Sequence, residues 1–198
     1  MNFLAHIFLS GSDPEIQLGN FLADMVKPKE RTLYSEGFQK GIALHQSIDE
    51  FTDHHPLVKD SKKVIWDQYR HYSAVLIDIF YDHYLAKNWN QYSEIPLRQY
   101  VDDFYSLMHH SYDDLPRGGQ RILPFLEGED WLFNYQYIEG IHQVLQGMSR
   151  RASFDSKMER GAADLKAHHE EFDKHFKSFF PELQSHVKKE KLRLGLPI

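Results

Sequence analysis

The segment that decides the fold is residues 74–86, which read Ala-Val-Leu-Ile-Asp-Ile-Phe-Tyr-Asp-His-Tyr-Leu-Ala. A run this apolar is typical of a helix that is buried on all sides. An ionised carboxylate in such surroundings is costly unless it is paired or binds a metal. Asp78 and Asp82 are four residues apart and so share one helix face, and His83 follows directly. The segment therefore predicts one wall of a metal or acid–base site.

The composition limits what such a site can contain. The chain has 198 residues, 13 histidines and no cysteine. Disulfides, thiolate metal sites and a cysteine nucleophile are therefore excluded. A metal must be bound by His, Asp and Glu, which favours manganese, magnesium, iron or zinc.

The charge balance indicates which partners to expect. The net charge is −6, so the chain has no general attraction for nucleic acid or for acidic membrane surfaces. The first residues lack the basic region and cleavage site of a signal peptide, and no segment has the roughly 20 apolar residues of a membrane span. We expect a cytoplasmic protein without nucleic-acid or membrane partners. The oligomeric state is left open.

The hydrophobic pattern predicts an all-α fold. Strand-like alternation between hairpin turns is absent. Breaks are expected at proline-containing pairs, Leu123-Pro124 and Phe180-Pro181 among them, and the basic tail 188–193 is expected to be loosely ordered. The pattern predicts a single-domain helical bundle over residues 1–198. Apolar residues recur at helical spacing in six segments, which are 15–25, 37–51, 61–88, 97–110, 129–147 and 154–180.

Three further segments contribute side chains that suit the same site. His6 lies in an apolar segment, and Asp24 ends a helix face that is expected to be buried. His45 and Asp49 are four residues apart, so they project together from a helix. A hard divalent cation needs several oxygen or imidazole ligands from different elements. Such a cation lowers the pKa of a bound water and polarises a phosphoryl oxygen, which is what hydrolysis of a phosphate ester requires.

Each of these side chains also has a purely structural interpretation. His6 could bond a carbonyl group, and Asp24 could end a helix or pair with Lys27. The His45–Asp49 pair could be a contact on a helix surface. The two acids of residues 74–86 could instead be satisfied by tyrosine or arginine.

Four motifs together resemble the acyl carrier protein phosphodiesterase family. The resemblance covers nearly the whole chain and is strongest in the first half. The motifs are Met-Asn-Phe-Leu-Ala-His at 1–6, Gly-Asn-Phe-Leu-Ala-Asp-Met-Val-Lys at 19–27, Gly-Ile-Ala-Leu-His-Gln-Ser-Ile-Asp-Glu-Phe-Thr-Asp at 41–53 and Asp-Ile-Phe-Tyr-Asp-His-Tyr-Leu-Ala at 78–86.

The resemblance implies a reaction and a cofactor. Members of this family hydrolyse holo-acyl carrier protein, release 4′-phosphopantetheine and leave the apo-protein. The family is regarded as a divergent branch of the HD-type metal phosphohydrolases, so an HD-phosphohydrolase-like helical fold is expected. Manganese is the expected metal, with magnesium as the alternative. The usual His-Asp order of HD enzymes occurs here only in reverse, as Asp82-His83.

The resemblance and the spacing together give a set of expected site residues. A water would attack phosphorus, and His83 would protonate the serine oxygen that leaves. The expected metal ligands are His6, Asp24, His45 and Asp82. The expected acid–base or ligand-orienting residues are Asp49, Asp78 and His83.

Carrier proteins are acidic, and so is this chain, so docking requires a local basic patch. The first candidate is the Arg150-Arg151 pair. The alternatives are Lys27 with Lys29 and Arg31, or the basic tail. Arg117 and Arg121 are further candidates, either for neutralising the phosphate or for docking.

Two other functions fit the same pattern. One is an HD-like phosphohydrolase that acts on a small nucleotide. The other is a helical protein that binds carrier protein without catalysis. Hydrolysis of holo-carrier protein, tested with and without manganese, separates the carrier-protein hydrolase from the binding protein. Activity on nucleotide phosphodiesters without any protein partner would identify the nucleotide phosphohydrolase.

Overall fold

The computed structural model describes residues 1–197, and Ile198, the last residue of the predicted domain, lies outside them. Within that range the chain is all-α, which confirms the predicted class, and contains no strand. Short 3-10 turns join several of the helices. The α-helices are α1 (Phe3–Ser10), α2 (Pro14–Phe21), α3 (Glu36–His54), α4 (Pro56–Tyr69), α5 (Tyr72–Lys87), α6 (Leu97–His110), α7 (Arg117–Gly128), α8 (Trp131–Asn134), α9 (Ile138–Arg151), α10 (Gly161–Ala167) and α11 (His169–Leu194).

Helix α5 contains residues 74–86 and is buried on most of its surface, as predicted. Leu76, Ile77, Phe80 and Tyr84 are all inaccessible to solvent. Helices α1, α4, α9 and α11 pack around it. Fully burying one such side chain contributes about 1.5–3 kcal/mol, so α5 is held by its neighbours on several sides. Its polar residues therefore have fixed positions.

Helices α2 and α3 approach closely because a glycine lies at the contact on each. A Cβ atom on Gly41 would lie 2.5 Å from the carbonyl oxygen of Ile16, and one on Gly19 would overlap the backbone of α3. Neither position tolerates a side chain without moving a helix. The close approach brings Asn20 of α2 within hydrogen-bonding distance of His45 of α3.

Two prolines lie inside helices, where the sequence pattern predicts breaks. Pro124 is in α7 and Pro181 is in α11, so both predicted breaks are wrong. An internal proline removes one hydrogen bond and costs about 3 kcal/mol. Around Pro181, the buried side chains of Phe179, Phe180 and Leu183 offset this cost. Tertiary burial therefore keeps α11 continuous.

The single helix predicted over residues 61–88 is also wrong, because the chain turns between α4 and α5. Arg70 ends α4 with a φ of +49°, in the left-handed region. Its amide still donates a hydrogen bond to the Trp66 carbonyl at 2.8 Å. No glycine or proline marks this turn, and the hydrophobic pattern runs through it. The turn lets α4 fold back against α5.

Helix α11 is the longest helix and has 26 residues. It includes the basic tail 188–193, which is helical and not loosely ordered as the sequence analysis expects. Its aromatic face packs on α5, with Phe176 5.6 Å from Tyr81 between ring centroids. None of the described helices is both long and apolar enough to cross a membrane.

Candidate metal centre

The centre of the site is a histidine–carboxylate pair on α3. His45 and Asp49 lie one helical turn apart, and His45 Nε2 is 3.0 Å from Asp49 Oδ2. The i,i+4 spacing predicts this arrangement. The His45 side chain is 9% exposed and the Asp49 side chain is 40% exposed. The carboxylate is therefore held against a buried ring and remains accessible from solvent.

A second histidine reaches the same carboxylate from α1. His6 Nε2 lies 3.1 Å from Asp49 Oδ1, and the two imidazole rings stack with centroids 4.1 Å apart. One potential ligand atom from each of His6, His45 and Asp49 lies within 4.8 Å of the other two. Helix α1 thus contributes one imidazole nitrogen, and α3 contributes a second imidazole nitrogen and a carboxylate, to the same small region.

Asn20, on α2, fixes both rings. Its Nδ2 donates to the His6 carbonyl at 3.0 Å and to Ser10 Oγ at 2.9 Å, so its Oδ1 is oriented to accept from His6 Nδ1 at 2.7 Å. The Asn20 carbonyl accepts from His45 Nδ1 at 2.8 Å. Each Nδ1 therefore carries a proton, which leaves the Nε2 that faces Asp49 as the atom through which each ring can bind a metal. Hydrogen bonds of this kind orient histidines that bind metals.

The charges around the pair favour an ionised carboxylate. Burial would raise the pKa of Asp49, but His45, His6 and the Met1 ammonium hold it well below its usual range. Burial would lower the pKa of His45, but the carboxylates of Asp24 and Asp49 beside the ring raise it to about 9. Burial lowers the pKa of His6. Without a metal, the negative charge of Asp49 and its neighbouring acids is therefore balanced by the protonated His45 ring and the Met1 ammonium. A bound cation can replace these positive charges.

Two further acids border the pair. Asp24 follows α2 on a 3-10 turn, and its Oδ1 lies 3.5 Å from His45 Nε2 with the side chain 87% exposed. Asp78 of α5 contacts the Met1 amino group at 3.2 Å, and that group is 3.6 Å from Asp49 Oδ1. Asp24 therefore lies at the solvent side of the site, and Asp78 lies behind the amino group.

A comparison with known proteins identifies the family. The family model described as acyl carrier protein phosphodiesterase matches residues 1–183. The chain belongs to the acyl carrier protein phosphodiesterase family.

Three curated relatives carry the name acyl carrier protein phosphodiesterase. The protein of Pectobacterium atrosepticum is 31% identical over 193 residues, which are 97% of this chain and 100% of the relative. The protein of Photorhabdus laumondii is 32% identical over 191 residues, 91% of this chain and 92% of the relative. The protein of an Enterobacter species is 32% identical over 194 residues, 97% of this chain and 100% of the relative. No solved structure matches the chain, so the HD-like architecture stays a prediction.

In this member of the family, Asp82 occupies a different position from the one expected of a ligand. Its Oδ2 accepts from the Leu4 amide at 2.7 Å, and its Oδ1 accepts from the Asn2 and Ala5 amides at 3.3 and 3.4 Å. The carboxylate therefore caps the amino end of α1, where unpaired amides favour a negative charge. It is not among the three residues whose ligand atoms converge. These contacts give the carboxylate partners other than a metal, and a ligand role for Asp82 stays a prediction.

His83 also lies apart from the three converging residues. Its Nδ1 donates to the Tyr135 carbonyl at 2.8 Å, and its ring packs against Tyr84. Burial lowers its pKa to about 4. Asp82, one residue earlier, faces α1, whereas His83 faces the segment after α8. The two neighbours therefore serve different parts of the molecule.

The residues that do converge fit a divalent cation. Among the described residues, His45 Nε2 is a buried atom without a hydrogen-bond partner, although Asp49 Oδ2 is only 3.0 Å away. His6 Nε2 has only a long contact of 3.3 Å to the Met1 carbonyl besides its approach to Asp49. Two imidazole nitrogens and a carboxylate that approach each other without good hydrogen bonds suit a shared metal.

Asn20, which bonds both histidines, is a residue that the sequence analysis did not single out. It lies in the quoted motif at 19–27 but has no assigned role there. One signal does exist: an asparagine between the apolar residues of a buried helix needs partners for its oxygen and both amide hydrogens. The sequence alone does not say that those partners are histidines.

Proposed function

We propose that this protein is a metal-dependent phosphodiesterase that hydrolyses holo-acyl carrier protein and releases 4′-phosphopantetheine. The observation that carries the proposal is the convergence of His6, His45 and Asp49 in a chain of this family. Relatives that this chain matches over nearly its whole length carry the name of that activity.

The proposed ligands are His6, His45 and Asp49, with Asp24 as a fourth that can close on the metal from the solvent side. Asp49 takes the place that the sequence analysis gave to Asp82. Manganese is the proposed metal because the resemblance to this family implies it, and carboxylate oxygens without any thiolate are compatible with it. Magnesium prefers oxygen ligands and is the second candidate.

In the proposed reaction a water oxygen forms a bond to phosphorus, the bond from phosphorus to the serine oxygen breaks, and that oxygen takes up a proton. A divalent cation at this site lowers the pKa of water and neutralises phosphoryl charge. The chain itself supplies the orientation, because Asn20 holds both histidines in one tautomer. Protonation of the leaving oxygen by His83 stays a prediction.

Mass spectrometry of holo-acyl carrier protein incubated with the purified protein tests the function. We expect loss of the phosphopantetheine mass with manganese, no loss after chelation, and recovery when manganese is added back. Full activity in a chelated sample would overturn the metal dependence. Binding of carrier protein without any mass loss would favour the non-catalytic alternative, and cleavage of small nucleotide diesters alone would favour the nucleotide alternative.

Replacement of Asn20 with alanine tests the orientation of the histidines. We expect manganese affinity to fall by roughly 10- to 100-fold, because neither the ring of His6 nor its tautomer is then fixed. The measurement is titration calorimetry of the metal-free protein. Thermal unfolding of the same variant distinguishes a loss of the fold from a loss of the hydrogen bond to His6. Unchanged affinity in Asn20→Ala would contradict the role of this residue.

The cytoplasmic location and the single domain over residues 1–198 stay predictions. The absence of a nucleic-acid partner stays an expectation from the acidic charge.

A further inference from the structure

A large groove adjoins Asp24, the acid at the solvent side of the candidate metal centre. It has a volume of about 1450 Å³ and lies between the turn after α2 and the amino end of α7. Asp24 lines the groove and also lies 3.5 Å from His45 Nε2. A substrate whose phosphate reaches the metal centre past Asp24 would therefore have its remaining part in this groove.

The two walls of the groove are packed tightly against each other at its base. A Cβ atom on Gly118 of α7 would lie 2.8 Å from Met25 Cβ, on the turn that carries Asp24. This contact fixes the first turns of α7 beside Asp24. Arg117 and Arg121, one turn apart on α7, both line the groove.

The groove is bordered by cations that are free to bind a partner. Lys27 is 72% exposed and has only a loose contact of 3.7 Å with Glu30. Arg117 and Arg121 are exposed, and Arg121 Nε donates to the Arg117 carbonyl at 3.2 Å. Within residues 1–197 neither arginine forms an ion pair, whereas Arg98 does so with two acids.

The local charge matters because the whole chain repels an acidic partner. The net charge is −6, so long-range attraction of an acidic protein must come from a local patch. Arginine binds carboxylate and phosphate oxygens through two parallel hydrogen bonds. We infer that the groove is the docking surface for the acidic carrier protein, with Lys27, Arg117 and Arg121 binding its acidic face. This inference rests on the proposed function.

The Arg150-Arg151 pair, the first candidate from the sequence, lies elsewhere. The Arg151 guanidinium lies 5.8 Å from the centroid of the Trp131 ring, which can hold it by a cation–π contact. Arg150 lines a separate depression of about 480 Å³ together with Glu129. That depression shares no lining residue with the groove. The pair is therefore a control that reverses two exposed arginines away from the groove.

The experiment compares the triple variant K27E/R117E/R121E with the double variant R150E/R151E. The probe is apo-acyl carrier protein, which lacks the hydrolysable group, and its affinity is measured by fluorescence anisotropy at low and at high salt. We expect the triple variant to weaken binding by roughly 10-fold or more at low salt and to lose the salt dependence of the wild type. The double variant should bind within about 2-fold of the wild type.

Three further measurements make the result decisive. Manganese affinity and thermal unfolding report whether each variant keeps its site and its fold. The KM for holo-carrier protein should rise in the triple variant by a factor similar to that for apo-protein binding. If the triple variant does not fold, the single variants R117E and R121E are measured in the same way.

The possible outcomes separate docking from catalysis. If the triple variant loses binding, and the wild type binds holo-carrier protein but never hydrolyses it, the docking surface is supported and the proposed function is overturned. Normal binding in the groove variant, with an active wild type, overturns the docking surface alone. Equal or larger loss in R150E/R151E also overturns it, as does a wild type that binds neither apo- nor holo-carrier protein.

Discussion

Asp49→Asn is expected to lower both manganese affinity and the turnover of holo-acyl carrier protein by more than about 100-fold. The substitution keeps the size of the side chain and removes the charge that both histidines face at 3.0 and 3.1 Å. Changes in groups that only orient ligands typically cost 10- to 100-fold, so the loss of a ligand should exceed that range. Calorimetric titration with manganese and a mass-spectrometric time course measure the two effects.

Asp53→Asn provides the control for this variant. Asp53 lies one turn further along α3, is 61% exposed and pairs with Lys62 at 2.8 Å. An exposed pair of this kind contributes about 0–1 kcal/mol to stability, and neither residue is near the converging ligand atoms. We expect unchanged metal affinity and turnover. If Asp49→Asn behaves like Asp53→Asn, the proposed ligand set is wrong.

The convergence of His45 and Asp49 could be predicted from the sequence, because it depends only on helical spacing. A helix places i and i+4 side chains on one face regardless of its surroundings. The arrival of His6 at the same carboxylate could not be predicted in this way. It depends on the packing of α1 against α3, and that packing depends on contacts remote in sequence.

The errors in the helix boundaries have a similar cause. A proline signal is local, but at Pro181 the burial of neighbouring phenylalanines outweighs it. The turn at Arg70 has the opposite origin, since tertiary packing ends a helix that no local signal ends. Composition and periodicity predicted the all-α class because many residues contribute to it. The end of a single helix depends on few residues, so tertiary packing easily outweighs the local sequence signal.

Asp82 illustrates how the need for a partner can be predicted while the contacts that meet it are not. A carboxylate in the most apolar helix does need compensation. Three amides at the amino end of α1 and the Met1 ammonium nearby supply part of it, although burial outweighs them and raises the pKa of Asp82. Amide groups are invisible in a sequence pattern, because every residue except proline has one. The pattern therefore predicted the need for a partner and not its identity.

Asp82→Ala is consequently expected to reduce stability more than metal binding. Removing the acceptor leaves the amides of Asn2, Leu4 and Ala5 at the start of α1 without this partner, which lowers the free energy of unfolding by about 1–3 kcal/mol. The melting temperature should fall by about 2–4 °C for each kcal/mol. Manganese affinity should fall by less than about 10-fold, through loosening of the helix that carries His6.

The effect of Asp82→Ala on stability should also depend on pH. Burial raises the pKa of Asp82 to about 7 in the folded chain, whereas a carboxyl in an unfolded chain has a pKa near 4. The folded state then binds the proton more tightly, so wild-type stability decreases relative to the variant as pH rises from about 4 to 7. The difference in unfolding free energy should therefore be larger at about pH 5 than at about pH 8.

Asp82→Asn and Asp60→Ala complete the comparison. Asn keeps one acceptor oxygen for the α1 amides, so its loss of stability should be smaller than that of alanine. Asp60 is an exposed acid of α4 that pairs with Lys63. Its replacement should change neither the melting temperature nor the manganese affinity. If Asp82→Ala instead loses manganese as completely as Asp49→Asn and keeps the wild-type melting temperature, Asp82 is a ligand. The cap on α1 would then be secondary to the metal, and the ligand set expected from the sequence would stand.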